Sequence, residues 1–208
     1  MLSMIFPDLS GVQQRAINSV LKELTKKMKD GAKAFDLDDV VAEINASKMT
    51  QNVRDPLLSK IEELKQLRLF SQGSYPTVKD VVKSGKLTVF DLNALTSVKK
   101  KQIILAYFAQ RLFNQRRKQK IPPFLLLVEE AHNFCREKAS AENAVSKSII
   151  ETIAREGRKF GASLCLISQR PVQLSTTALS QCNSYIIMRI TNPFDLKHIA
   201  ESCEAIDS

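Results

Sequence analysis

Apolar residues recur at helical spacing through the first third of the chain and give way to continuous apolar runs beyond it. Behind Asp8 and Ser10, both good capping types, Val12, Ile17, Val20, Leu21 and Leu24 predict a helix that Gly31 ends. A second helix is predicted from Asp36 or Asp38 through Val41 and Ile44. A third is predicted from about Asp55 and Pro56, with the proline in its first turn, through Leu57, Ile61, Leu64 and Leu67. Such stripes must face each other or a neighbouring body, so residues 1–72 read as a small helical bundle.

Gly73, Pro76 and Gly85 punctuate a change of grammar that starts near Tyr75. A short β-rich run at 86–92 leads into a helix over 97–118. After Pro122 and Pro123 comes the continuous apolar strand 124–128, then a helix from about 141 to 160 and a strand over 163–168. A short helix at 175–180, a strand at 184–190 and a last helix after Asn192 and Pro193 complete the pattern. Apolar strands separated by helices predict an α/β fold over 73–208, with a mostly parallel sheet and helical crossovers.

Composition removes several classes. The 208 residues suffice for one domain with a small appendage, and 44% apolar with 25% charged residues excludes disorder, collagen-like and coiled-coil chains. No run of eighteen apolar residues exists to span a bilayer, and the first ten residues lack the basic and apolar regions of a secretory signal. Four cysteines without CxxC spacing and only two histidines make a poor zinc or disulfide inventory, which fits a reducing cytoplasm. The net charge of +9 is concentrated: residues 71–121 hold 11 lysines and arginines against 2 acids, whereas 1–70 and 122–208 are balanced. A polyphosphate partner favours such a stretch, because each cation near a phosphate releases a counterion; a solvated helix face is the plainer reading.

The strongest chemical signal is FLLLVEEAH at 124–132. A buried strand that ends in two carboxylates presents acids where nucleoside triphosphatases need them, beyond the carboxyl ends of parallel strands. Glu129 stands where a carboxylate serving Mg²⁺ belongs, and Glu130 where one would orient or deprotonate the attacking water. The plainer alternative is a core strand followed by a charged loop. Arg155, Arg158 and Lys159 close the next helix before Gly161, either as favourable cations at a helix C-terminus or as an arginine aimed at a γ-phosphate. Ser168, Gln169 and Arg170 then end the following strand before Pro171. A glutamine there can bond both water and phosphate, or the trio simply makes a turn.

Taken in order, LLLVEEAHNF, IAREGRKFG, LISQRP and LSQCNSYIIMRITNP resemble the catalytic core of the HerA-type DNA translocases, members of the HerA/FtsK group of RecA-like motor ATPases. The match is specific over 122–208 and weaker over 86–121, while residues 1–70 are similar to the helix-bundle insertion of that family. The resemblance implies a RecA-like fold and a homo-oligomeric, hexameric ring. Such a ring hydrolyses ATP with Mg²⁺ between subunits and drives double-stranded DNA through its channel beside a NurA-type nuclease in end resection. It implies Glu129 and Glu130 as the Walker B acids, Glu130 the catalytic one and Glu129 serving the metal indirectly. By the same resemblance Gln169 is the sensor, Arg155 is the arginine finger given to a neighbour's nucleotide, and Arg158 and Arg170 share either role.

One departure carries weight. No G-x-x-x-x-G-K-[ST] loop occurs anywhere in the chain, and Ser84, Gly85 and Lys86 do not supply one. The family's phosphate-binding loop is expected upstream of residue 1, which makes this polypeptide a partial core that should not hydrolyse ATP alone. A related conjugation or packaging motor, and a nucleotide-free protein that holds DNA or a partner, are the competing readings. The loop 133–143 is a candidate for facing DNA.

Overall fold

The computed structural model describes residues 9–67, 76–138 and 145–202. It divides into two compact units, one within Phe6–Pro76 and one within Thr77–Ser208.

The first unit is three helices packed pairwise. Helix α1, Gly11–Lys29, begins with a reciprocal cap in which the Ser10 hydroxyl accepts from the Gln13 amide and the Gln13 side chain accepts from the Ser10 amide. Asp36 and Asp39 cap α2, Leu37–Ala46, in the same way. Helix α3, Gln51–Gln66, starts earlier than its proline suggests: Thr50 is the cap residue and Pro56 lies within the helix. A proline there removes a single backbone donor, and the buried row Leu57, Ile61 and Leu64 holds the helix across it. Ile17, Val20 and Leu24 of α1 and Val40 and Ile44 of α2 complete that core. Ion pairs from Lys27 to Glu43 (2.6 Å) and from Lys65 to Asp38 (2.7 Å) span the helix pairs at the surface.

The second unit is α/β. Helix α4, Val78–Val81, is one turn that the sequence pattern did not announce; α5 is Val98–Arg117, capped by the Ser97 hydroxyl. Strand β1, Phe124–Val128, pairs in parallel with β2, Ala162–Leu166, so that Val128 stands opposite Leu166. Helix α6, Lys147–Phe160, makes the crossover between them. Its buried face, Ile149, Ile150, Ile153 and Gly157, packs on β2 and α5. Gly157 is required by contact: a Cβ there would lie 2.1 Å from the Ala162 carbonyl oxygen. Gly161 is required by conformation, with φ of +67° at the turn from α6 into β2. Arg116 fastens the same corner, donating to the carbonyls of Phe160 (2.5 Å) and Ile121 (2.8 Å). Helices α7, Thr176–Leu179, and α8, Pro193–Ser202, follow β2. The fold class is thus as expected, a helical bundle and an α/β unit with a parallel strand pair and a helical crossover.

Two predicted strands are corrected. Residues 86–92 and 184–190 enter no sheet among the described residues. An apolar run becomes a strand only where a ladder partner meets its backbone, and β1 and β2 pair only with each other. Segment 86–92 instead rests on α5 through Phe90, whose ring centroid is 4.6 Å from that of Phe108, and Leu87 stays 89% exposed. In 184–190, Tyr185 donates its hydroxyl to the Leu179 carbonyl, while Ile186 is 92% exposed. The sheet also buries only one face. Leu126, Val128, Leu164 and Leu166 join the core, whereas Leu125 and Leu127 on the opposite face lie open. The start predicted for α6 near residue 141 falls outside the described residues.

Candidate functional site

Parallel pairing settles which side chains meet. Because Val128 stands opposite Leu166, the residues after both strands emerge at the same carboxyl edge. Glu129 and Glu130 follow β1 there, exposed, and Ser168, Gln169 and Arg170 follow β2, with Gln169 and Arg170 exposed. Backbone bonds stitch the two ends together: the Ile167 amide donates to the Val128 carbonyl and the Ala131 amide to the Ile167 carbonyl, both at 2.9 Å. The buried Ala131 seals the point beneath them.

Glu130 occupies an unusual position. Its φ of +49° and ψ of +45° put a non-glycine residue in the left-handed region, a conformation that costs about 1 kcal/mol or more and that the surrounding bonds must hold. The holding bonds run from the Asn133 amide to the Glu130 carbonyl (2.8 Å) and from the Ala131 amide to β2, and the chain turns at once into a 3₁₀ segment, Ala131–Asn133. The chain reverses direction at this residue, which stays exposed at the sheet edge.

The next turn places His132 against both neighbours. Its Nδ1 is 3.3 Å from Glu130 Oε2 and 3.1 Å from Ser168 Oγ, and the Ser168 oxygen accepts from the Arg170 amide at 3.0 Å. Burial pushes the His132 imidazole below its ordinary range, Arg170 and Arg136 add to that, and Glu130 opposes it.

The segment leaving this edge is clamped by a polar network behind it. Glu137 accepts from the backbone amide and hydroxyl of Thr176, at 2.8 and 2.9 Å, and lies near Lys147. Burial works against its charged form, but those bonds with Lys147 and His198 outweigh it and hold the carboxyl below the usual range. Ser175 donates to Glu151 at 2.5 Å, and the buried Asp195 of α8 accepts from the Val172 amide at 3.0 Å. Cys135 is enclosed beside them, its thiol pushed up to about 12 by burial first and by the charge of Glu151 next, so it is inert as a nucleophile. Gln102 of α5 reaches the Asn133 carbonyl at 2.6 Å and ties the basic helix to the turn after the acids.

Not every predicted residue reaches this edge. Arg155 and Arg158, with Lys159, are exposed near the end of α6, and α6 ends where β2 begins. The Gly161 carbonyl accepts from the Phe124 amide, which puts that corner at the amino edge of both strands. One rise of 1.5 Å per residue lifts Arg155 only about 8 Å from the end of its helix, toward an acid site on the far side of the sheet. Within this subunit, then, Glu129, Glu130, Gln169 and Arg170 come together, and Arg155 and Arg158 stand apart. The sequence reading did not single out His132 and took Ser168 only as part of a polar trio, though each lies within two residues of a predicted site residue at a strand end. The proposed DNA-facing loop is described only as far as Lys138 and carries Arg136, which bridges to Leu174.

The residues at the edge fit one part of a nucleotide site. Two exposed carboxylates and a strand-terminal glutamine suit the water side of such a site, and the sequence holds no G-x-x-x-x-G-K-[ST] loop to cradle phosphates. Among the described residues no three His, Cys, Asp or Glu side chains cluster to hold a metal ion unaided. Nor does any described helix have the length and apolar character to cross a membrane.

No family model matches the chain. It is 30% identical, over 93% of its length and 41% of the relative's, to a protein of Saccharolobus solfataricus named DNA double-strand break repair helicase HerA. It is 27% identical, over 93% of its length and 42% of the relative's, to the protein of that name from Sulfurisphaera tokodaii. Over 86 residues, 40% of the chain and 16% of the relative, it is 49% identical to a protein of Methanocaldococcus jannaschii named probable DNA double-strand break repair helicase HerA. The chain spans about two fifths of the length of the first two relatives. The match over 93% of the chain takes in the helical unit as well as the α/β unit, and the chain aligns with a segment of these helicases named HerA.

Proposed function

We propose that the chain is the acid-and-sensor part of an ATP-driven motor on double-stranded DNA that acts in repair of broken ends, in the cytoplasm, as a hexameric ring of identical subunits beside a NurA-type nuclease. In this reading residues 1–72 are a helical insertion and 73–208 a partial RecA-like core. The observation that carries it is the shared carboxyl edge, beyond which Glu129 and Glu130 follow β1 and Gln169 follows β2 in a fixed parallel register. The names of the relatives support the same assignment.

When bound, MgATP supplies the phosphoryl group and the metal; this chain supplies what surrounds them. Glu129 would serve the magnesium site, and Glu130, exposed at the sheet edge, orients the attacking water and accepts its proton. Gln169 donates to the same region. Arg155 stands at the opposite strand edge, which suits a residue serving the neighbouring subunit's nucleotide, and Arg158 and Arg170 are further cations for the phosphates. The phosphate cradle comes from a P-loop outside these 208 residues, so the chain alone binds ATP weakly.

The test is Glu130→Gln in a ring protein that carries this segment together with a P-loop. Turnover is expected to fall on the order of a hundredfold or more with nucleotide binding retained, since the amide keeps the shape but not the basicity. Near-normal hydrolysis would remove Glu130 from the catalytic role.

A further inference from the structure

Between the two turns at the sheet edge the side chains form a continuous polar line: Glu130 carboxylate, His132 Nδ1, Ser168 Oγ, Arg170 amide, with separations of 3.3, 3.1 and 3.0 Å. Only 12% of the His132 side chain is exposed, against 48% of the Glu130 side chain. The inner member of the line is therefore largely enclosed and the outer one is open to solvent.

The chemistry of the donors orients it. A carboxylate only accepts, so the tautomer that suits Glu130 at 3.3 Å carries a hydrogen on Nδ1. The hydrogen bond of Nδ1 is to Ser168 Oγ, and Glu130 Oε2 stands 3.3 Å from the same nitrogen. The serine oxygen, with two lone pairs, accepts from Nδ1 and from the Arg170 amide together. A change of charge or position at the carboxylate 3.3 Å away alters the field on Nδ1 and so its bond to Ser168. Any change in the serine oxygen is then felt at the backbone that carries Gln169 and Arg170.

We propose that His132 is a positioning residue that couples the orientation of Glu130 to the 168–170 turn through Ser168. The coupling joins the residue that handles the water to the residues on the adjacent strand that sense the phosphate, across 36 residues of sequence. It rests on the assignment of Glu130 and Gln169 to the nucleotide, but the coupling itself is measurable without nucleotide.

The primary experiment is amide NMR on the 208-residue chain. Glu130→Gln is expected to shift the amide signals of Gln169 and Arg170, and the shift is expected to collapse in a His132→Ala or a Ser168→Ala background. His132→Asn, whose side chain keeps a polar atom close to the Nδ1 position, should restore it. An undiminished shift in both alanine backgrounds would overturn the proposal, because transmission would then run through the backbone. Should His132→Ala disorder the turn, Ser168→Ala and His132→Asn decide the question in its place. In the ring protein with its P-loop, His132→Ala and Ser168→Ala should each lower kcat about tenfold with KM for ATP changed less than about twofold, and the double variant should be no worse than the single ones. Normal kcat in both alanine variants, alongside a dead Glu130→Gln protein, sinks the coupling as a catalytic device. A live Glu130→Gln protein instead sinks the assignment of the acid, while the NMR result still decides whether the coupling exists.

Discussion

The helical unit and the α/β unit are built from similar proportions of apolar and charged residues, yet they finish in different states. In α1, α2 and α3 the buried row of each helix meets the rows of the other two, and little apolar surface is left over. In the α/β unit β1 and β2 bury one face and leave Leu125 and Leu127 open on the other, with Ile186, Met188 and Leu87 exposed in segments that pair with nothing described. Parallel strands are ordinarily covered on both faces. A three-helix bundle closes through contacts among close neighbours in sequence, whereas a parallel sheet must recruit distant segments before its strands are satisfied. The chemistry-bearing residues all lie in the unit that is left open.

The largest expected effect breaks the symmetry between subunits as well as units. In the P-loop-bearing ring, Arg155→Ala should lose on the order of a thousandfold in hydrolysis if the guanidinium neutralises transition-state charge. Mixing that variant with Glu130→Gln should recover part of the activity, because one interface then pairs an intact acid with an intact arginine. No recovery in rings shown to be mixed places Arg155 outside the interface role.

Core truncations sharpen the division between units. Ile44→Ala in α2 and Ile150→Ala in α6, both fully buried, should each destabilise by about 2–5 kcal/mol. Hydrogen exchange should show each loss confined to its own unit. Spread of the Ile44→Ala effect into α6 amides would mean that the two units unfold as one.

Gly157→Ala should act against its usual sign. In a helix interior that change ordinarily stabilises by up to about 1 kcal/mol. Here the added methyl meets a backbone oxygen of β2, and a loss of about 1–3 kcal/mol is expected from thermal unfolding of the α/β unit. A gain in melting temperature would show that α6 and β2 are free to move apart.

The smallest effect is on the open face. Leu127→Thr should change the stability of this chain by less than about 0.5 kcal/mol, because the side chain is already half in water. A larger loss would show that something covers that face in solution.

Much of this was legible along the chain. The helix stripes of α1 and α2, the Ser10 cap, the apolar run of β1 and the acids that end it are local patterns, and local spacing is sufficient to predict them. The start of α3 was not legible, since Pro56 looks like a first-turn residue and only packing of Leu57, Ile61 and Leu64 carries the helix past it. Nor was the fate of 184–190, whose composition suits a strand.

What the sequence by itself determined is therefore the type of each long helix, the strand that presents Glu129 and Glu130, and the absence of a phosphate loop to go with them. Only the tertiary structure decided that Glu130 takes a left-handed backbone, that His132 reaches Ser168, and that Arg155 lies at the opposite strand edge from the acids. The reason is the range of the forces involved. Apolar periodicity is written within a few turns of chain, but a β ladder and a hydrogen bond between residues 36 positions apart exist only once two strands have found their register.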